Sequence, residues 1–176
     1  IFFTFTIKVP QWSSYHHFAD GRSIWGIPNF WNIVSNIPFF LVSMLGFISL
    51  RKRWNKHQVT KKEFIVFFTL FFGIFLTSIG SSYYHWAPDN ARLVWDRIPM
   101  TIVFMSLLSL TIMERINIRL GFGLFIPLLM LGIFSVLYWY WTELAEHGDL
   151  RTYGIVQFYS MFLILCVLFF FPKTYP

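Results

Sequence analysis

Three polar or ionisable side chains that could form a functional site lie in one short stretch of the chain. Residues 80–100 read GSSYYHWAPDNARLVWDRIPM and hold Ser81, His85 and Asp96. Residues four apart lie on the same face of a helix, so Ser81 and His85 can share a ligand or a water molecule. A catalytic zinc normally takes three protein ligands and a water, so this spacing alone leaves the chemistry open.

Each of these side chains also has a structural interpretation. Asp96 can cap the third membrane helix, with Pro99 in the first turn, where a missing N–H costs little. His85 can be a hydrogen-bonded histidine at the membrane edge. Ser81 can serve helix packing beside Gly80, because small residues let membrane helices approach closely. Ionisable groups at a bilayer edge nevertheless call for a functional hypothesis.

The composition indicates an integral membrane protein. Hydrophobic residues make up 56% of the chain, aromatic residues 22% and charged residues 12%, whereas soluble domains are roughly 25% charged. A membrane-spanning helix needs about 20 mostly apolar residues. The sequence therefore predicts an all-α membrane protein, a single membrane domain over residues 1–176, with spans at 30–50, 64–84, 98–113, 120–141 and 155–171.

The distribution of basic residues predicts an orientation. If the first loop is cytoplasmic, nine Lys and Arg fall inside and five outside, which places the N-terminus outside or in a lumen. The inner set is Arg51, Lys52, Arg53, Lys56, Lys61, Lys62, Arg115, Arg119 and Lys173, and the outer set is Lys8, Arg22, Arg92, Arg97 and Arg151. The net charge of +6 thus reflects topology, with anionic lipids as a second option, and indicates no nucleic-acid partner.

Two blocks of sequence resemble a known family. Residues 80–100 and the upstream residues 26–47, GIPNFWNIVSNIPFFLVSMLGF, resemble the alkaline ceramidases, integral membrane amidases that are distantly related to the progestin and adiponectin receptors. The resemblance is closest to the bacterial and lower-eukaryotic branch. It continues more weakly through residues 136–159 and so extends over residues 12–176.

The resemblance implies a seven-helix bundle with an outward-facing zinc held by three histidines. One of them maps to His85, and the other two form a pair four apart on the last helix. Ser81 and Asp96 map to the residues around the water that the zinc activates. The chain begins at Ile1 without Met and stops at Pro176. We therefore expect a C-terminally truncated fragment with five of the seven helices, inactive alone.

For the complete protein, the resemblance implies hydrolysis of the N-acyl amide bond of a ceramide-type lipid held in the bilayer. Asp96 would act as general base and Ser81 would hydrogen-bond the oxyanion or the water. One alternative is a non-catalytic, receptor-like or structural member of the same superfamily. Another is an unrelated small transporter or scaffold. Protein partners are not indicated.

The resemblance also raises the question of calcium. Many eukaryotic members carry a calcium site before the first helix, which maps here to Asp20 and Asn29. Asn29 stands where that pattern has an acid, and calcium prefers several oxygen ligands. We therefore expect Asp20 to pair with Arg22 or to cap a turn at Gly21 rather than to bind calcium.

Other polar residues receive structural interpretations. The remaining histidines are expected to be solvated in loops; they are His16, His17, His57 and His147. Polar side chains of the first span are expected to bond to neighbouring helices, as such residues commonly do in membranes; they are Asn32, Ser35 and Asn36.

Overall fold

A computed structural model describes residues 7–172, and over that range every regular element is helical. A 3-10 turn at Ser13–His16 precedes the α-helices. These are α1 (Phe30–Val34), α2 (Ile37–Asn55), α3 (Lys61–Trp86), α4 (Asn90–Arg115), α5 (Ile118–Leu144), α6 (Arg151–Gly154) and α7 (Ser160–Phe170). A π-helical turn, Ile155–Tyr159, joins α6 to α7.

Five stretches of helix are long and apolar enough to cross a membrane, which confirms the predicted fold class. They are Phe30–Asn55, Lys61–Trp86, Asn90–Arg115, Ile118–Leu144 and Arg151–Phe170. The first combines α1 with α2, and the last combines α6, the π turn and α7. Each contains most or all of one predicted span, and the second, third and fourth extend beyond it at both ends.

Side-chain caps explain where the long helices begin. Thr60 and Glu63 form a capping box at the start of α3, and the Asn117 side chain accepts from two backbone N–H groups at the start of α5. At the start of α4 the Asp89 carboxylate accepts a 2.7 Å hydrogen bond from the Arg92 N–H. Such caps satisfy N–H groups that have no partner within the helix.

The cap at Asp89 rules out the structural interpretation of Asp96. In that interpretation Asp96 capped the third membrane helix and Pro99 lay near its first residue. The helix instead starts at Asn90, so Asp96 and Pro99 both lie inside it. Hydropathy excluded residues 90–97 because they are polar, although the protein buries several of them.

Helix α4 occupies the centre of the bundle. Within its most apolar window 56% of residues are buried, against 22–33% in the other four membrane-length helices. It packs against α3, α5 and α7. Gly121 allows α5 to approach α4 closely, because it has no Cβ. A Cβ at this position would lie 2.7 Å from the Ser109 carbonyl oxygen. A side chain inserted at that crossing would force the two helices apart.

The polar residues of the first span make local rather than interhelical contacts, so that prediction is wrong. The Asn32 amide donates to the Asp20 carbonyl oxygen at 2.9 Å. The Ser35 hydroxyl and the Asn36 amide both donate to the Asn32 carbonyl oxygen. These bonds satisfy the backbone where α1 and α2 are interrupted, and they tie the start of the span to the N-terminal segment.

Candidate active site

The turn between α3 and α4 places the three candidate residues close to one another. Only residues 87–89 separate the two helices, so the end of α3 and the start of α4 lie side by side. A Cβ at Gly80 would collide with the Trp95 carbonyl oxygen, which shows that the two backbones nearly touch there. Ser81 follows Gly80 in sequence and Asp96 follows Trp95, so both lie next to this contact.

The close approach allows Ser81 and Asp96 to interact directly. The Ser81 side chain, in a residue that is 7% exposed, lies within reach of the Asp96 carboxylate and can donate a hydrogen bond to it. A serine hydroxyl can donate one hydrogen and accept others. It can therefore hold the carboxylate in one orientation while the second carboxylate oxygen serves another group.

His85 has a ring nitrogen available for a ligand. Its Nδ1 atom is buried and makes no hydrogen bond to any residue between 7 and 172. The ring packs on Phe18, with 4.6 Å between the ring centroids, and on Tyr84. A buried polar atom without a partner is costly. The bare nitrogen therefore fits a position at which a metal ion or a substrate group supplies the missing contact.

The described residues do not by themselves form a zinc site. No group of three His, Cys, Asp or Glu side chains in residues 7–172 is arranged to hold a metal ion, whereas zinc normally takes three protein ligands and a water in a catalytic site. His85 is suited to be one ligand, with Asp96 and Ser81 nearby. The additional ligands that a zinc would require are not found in this part of the chain.

One of the other histidines differs from its prediction. His16 is half-buried and bridges two residues, with 2.9 Å from Nδ1 to the Tyr84 hydroxyl and 2.9 Å from Nε2 to Asn90 Oδ1. Because Oδ1 can only accept, Nε2 carries the proton, and a neutral ring then accepts from the tyrosine. His17, His57 and His147 are exposed, as expected.

Arg97, which we expected in an outer loop, lies elsewhere. It lies inside α4 and is 5% exposed. Its guanidinium carbon lies 4.2 Å from the Trp139 ring centroid and 4.7 Å from that of Tyr153. Nη2 donates a 2.7 Å hydrogen bond to the Gln11 side chain. One feature of the sequence could have indicated this burial. Arg97 stands beside Asp96 at the polar start of a membrane helix, where a charge needs a partner.

The N-terminal segment, residues 8–20, covers this end of the bundle. The Val9 carbonyl oxygen accepts a 2.8 Å hydrogen bond from the Leu150 N–H, and the Gln11 N–H donates to the Glu143 carboxylate. Phe18 lies over the rings of Tyr84 and His85. The candidate site is therefore bounded by α3, α4 and a segment that precedes the first membrane helix.

The two residues considered for calcium have other partners. Asp20 forms an ion pair with Arg22, as expected, and accepts from the Trp31 N–H. The hydrogen bond from Arg22 keeps the pKa of the Asp20 carboxyl below its ordinary value. The Asn29 amide donates to the His85 carbonyl oxygen at 2.8 Å. Asp20 is thus paired with a cation and the Asn29 amide is engaged elsewhere, and no group of three His, Cys, Asp or Glu side chains in residues 7–172 is arranged to hold a metal ion, so these residues as arranged do not fit a calcium site.

Comparison with known proteins places these observations in a family. The family model described as Ceramidase matches residues 24–171, a range that contains Ser81, His85 and Asp96. No curated protein and no solved structure was found to match the chain. The family match extends over far more than half of the sequence and over all five membrane-length helices. This multi-pass membrane chain therefore belongs to the ceramidase family, whose members are hydrolases acting on amide bonds.

Proposed function

We propose that this chain carries part of the active site of a zinc-dependent amidase. Its reaction would split the N-acyl amide bond of a ceramide-type sphingolipid with water, giving a sphingoid base and a fatty acid. The observation that supports this most is the proximity of Ser81 to Asp96, one helical turn before His85, whose buried Nδ1 has no hydrogen-bond partner within residues 7–172. A base and a free imidazole nitrogen at the edge of a bilayer are the groups that such hydrolysis uses.

Each residue has a defined part in the proposed reaction. His85 would hold the zinc together with ligands from outside the described residues. Zinc, when bound, would polarise the amide carbonyl and make water acidic enough to attack near neutral pH. Asp96 would take a proton from the attacking water and then give it to the leaving amine nitrogen. The Ser81 hydroxyl would keep the Asp96 carboxylate aimed at that water.

The surroundings of the site suit a substrate with two long chains. The surfaces of the membrane-length helices are largely apolar and lie in contact with lipid, so acyl chains can reach the site without leaving the bilayer. Phe18 and the N-terminal segment cover the polar end and limit the access of bulk water. Exclusion of water strengthens the electrostatic interactions within a site.

Replacement of His85 tests the proposal. In the full product of the reading frame that contains this chain, His85→Ala should lose both bound zinc and ceramide hydrolysis. His147→Ala is the matched control, because His147 is exposed and bonds only within its own loop. The checks are the zinc content by elemental analysis and sphingoid base release by mass spectrometry. Full activity in His85→Ala would disprove the proposed role.

The isolated 176-residue chain should bind zinc weakly and release no sphingoid base, because its described residues provide one suitable imidazole ligand. Chelator-sensitive ceramide hydrolysis by the purified chain would contradict this expectation. A full-length protein that binds zinc without any turnover would instead favour the non-catalytic, receptor-like alternative.

A further inference from the structure

A groove lies between α2 and α3 at the end of the bundle opposite the candidate active site. It has a volume of about 570 Å³. Its walls are almost entirely apolar, with Phe47 on one side and four phenylalanines of α3 on the other. The polar side chains that line it are those of Arg51 and Asn55, near the end of α2.

The phenylalanines of α3 form a continuous wall. Phe64, Phe68, Phe72 and Phe75 follow one another along one face of the helix. Successive ring centroids are 6.3, 6.2 and 6.4 Å apart, and the ring planes are inclined by 18°, 10° and 24°. Phe68 and Phe72 stay 45% and 41% exposed. Such a flat, accessible apolar wall suits an extended hydrocarbon chain.

The length of the wall matches one leaflet of a bilayer. Phe64 and Phe75 are eleven residues apart on one helix, which corresponds to about 16 Å at the rise of an α-helix. Half of a hydrocarbon core is about 15 Å thick. An acyl chain that starts at the bilayer surface beside Arg51 would therefore follow the wall to the middle of the membrane.

The charge at the mouth of the groove is positive and is not neutralised by nearby acids. Arg51 lines the groove, and Lys52, Lys56 and Lys61 lie in or next to the adjoining connection between α2 and α3. Glu63 is the acidic residue at the start of α3, and its carboxylate accepts from the N–H and the hydroxyl of Thr60 at 2.7 Å each. No ion pair joins Arg51 to an acid within residues 7–172.

We propose that this groove binds an anionic phospholipid. One acyl chain lies along the phenylalanine wall, and the lipid phosphate pairs with the Arg51 guanidinium, whose planar donors match phosphate oxygens. Asn55 can donate a further hydrogen bond at the same level. Anionic lipids attract basic protein segments at a membrane surface. The groove provides, in addition, a specific binding place for an acyl chain. The site is separate from the catalytic proposal, because Phe75 precedes His85 by ten residues, roughly 15 Å along α3.

Lipid retention measures the head-group preference. The protein is purified, mixed with equal amounts of phosphatidylglycerol and phosphatidylcholine, and examined by native mass spectrometry. The wild-type chain should retain phosphatidylglycerol preferentially. Arg51→Gln should reduce that preference about fivefold, the effect of one basic side chain near an anionic surface. Lys52→Gln is the matched control, because Lys52 is exposed and does not line the groove.

Two outcomes would overturn the proposal. One is that the wild type retains both lipids equally. The other is that Lys52→Gln and Arg51→Gln reduce the preference to the same extent, which would indicate diffuse surface attraction. Circular dichroism of each variant confirms that it has kept its helices.

A second measurement tests where the acyl chain of the lipid lies, without removing a charge from the protein. Trp54 lines the groove, so phosphatidylglycerol with brominated acyl chains should quench its fluorescence more than brominated phosphatidylcholine does. The difference should disappear in Trp54→Phe. Filling the groove with Met44→Trp should lower retention of phosphatidylglycerol in the mass spectrometry experiment. Unchanged retention in Met44→Trp would show that the lipid lies elsewhere.

Discussion

At the scale of single residues, the buried Arg97 at the candidate-site end has aromatic and hydrogen-bonding partners, although its Nη1 makes no hydrogen bond within residues 7–172. Arg97 is enclosed by the faces of Trp139 and Tyr153 and bonded to Gln11. A desolvated cation over an aromatic face is stabilised by about 2 kcal/mol or more. Because Gln11 belongs to the N-terminal segment, Arg97 also fixes that segment over the site. The arginine beside Asp96 thus has a structural function that its position in the motif did not reveal.

Asp149 is the second buried charge, and its pairing predicts a pH dependence of stability. Asp149 is fully buried, and its carboxylate accepts from Arg151 at 2.7 and 2.6 Å. These hydrogen bonds hold the pKa of the Asp149 carboxyl below its ordinary value. A lowered pKa in the folded state stabilises the fold above the ordinary value of about 4, and the stabilisation is lost as the pH falls through the folded pKa.

We therefore expect Asp149→Asn to melt at a lower temperature than the wild type at pH 7, with a loss of about 3 kcal/mol. Between pH 7 and about 5 the gap between the two proteins should stay constant, and below about pH 4 it should narrow. Thermal unfolding in detergent across this range is the measurement. Glu146→Gln, at an exposed position, is the control. A gap that widens on acidification would contradict the assignment.

Residue spacing predicted part of the site and missed the rest for a physical reason. The i, i+4 relation of Ser81 and His85 follows from helix geometry alone, and the short loop brings Asp96 near. His16 acquires its partners, and Arg97 its hydrogen bond to Gln11, only when the N-terminal segment folds back over the bundle. That contact joins residues far apart in sequence, for which no local pattern exists. The alternative interpretation of Asp96 as a helix cap fails because Asp89 caps that helix.

At the scale of elements, the crossing of α3 and α4 decides whether the candidate residues meet. Gly80 is the point of closest approach, and its neighbour across the crossing is backbone that cannot rotate away. The beginning of α4 is polar in sequence but packed in the structure. Hydropathy therefore predicted the third span as 98–113, whereas the helix extends over Asn90–Arg115. Hydropathy detects apolar segments that contact lipid, but it misses polar segments that are buried against other parts of the protein.

Gly80→Ala should separate the two helices and lower stability by about 1–3 kcal/mol, the usual effect of overpacking. Gly123→Ala is the matched control, because a Cβ at Gly123 meets nothing within 4 Å, and alanine favours a helix by about 1 kcal/mol. Thermal unfolding of both variants in the same detergent makes the comparison. If Gly80→Ala proves as stable as Gly123→Ala, the close crossing is not needed for the fold.

At the scale of the whole molecule, an apolar bundle holds a polar, covered site at one end and a basic, grooved surface at the other. The helical class and the five membrane-length helices were predicted from composition and hydropathy, because lipid contact leaves long apolar runs. The orientation in the membrane stays a prediction. The count of outer basic residues behind this prediction changes, because Arg97 is buried in α4 rather than placed in an outer loop. Without Arg97 four basic residues remain outside, which strengthens the predicted excess of basic residues on the inner side.

The central claim is that Asp96 moves the protons of amide hydrolysis in a protein of the ceramidase family. The most direct test is release of sphingoid base from ceramide by full-length wild type and Asp96→Asn, compared at equal zinc content. We predict that Asp96→Asn keeps most of its zinc and loses about 100-fold or more in turnover, as expected when a general base is removed. Turnover close to that of the wild type would contradict the account.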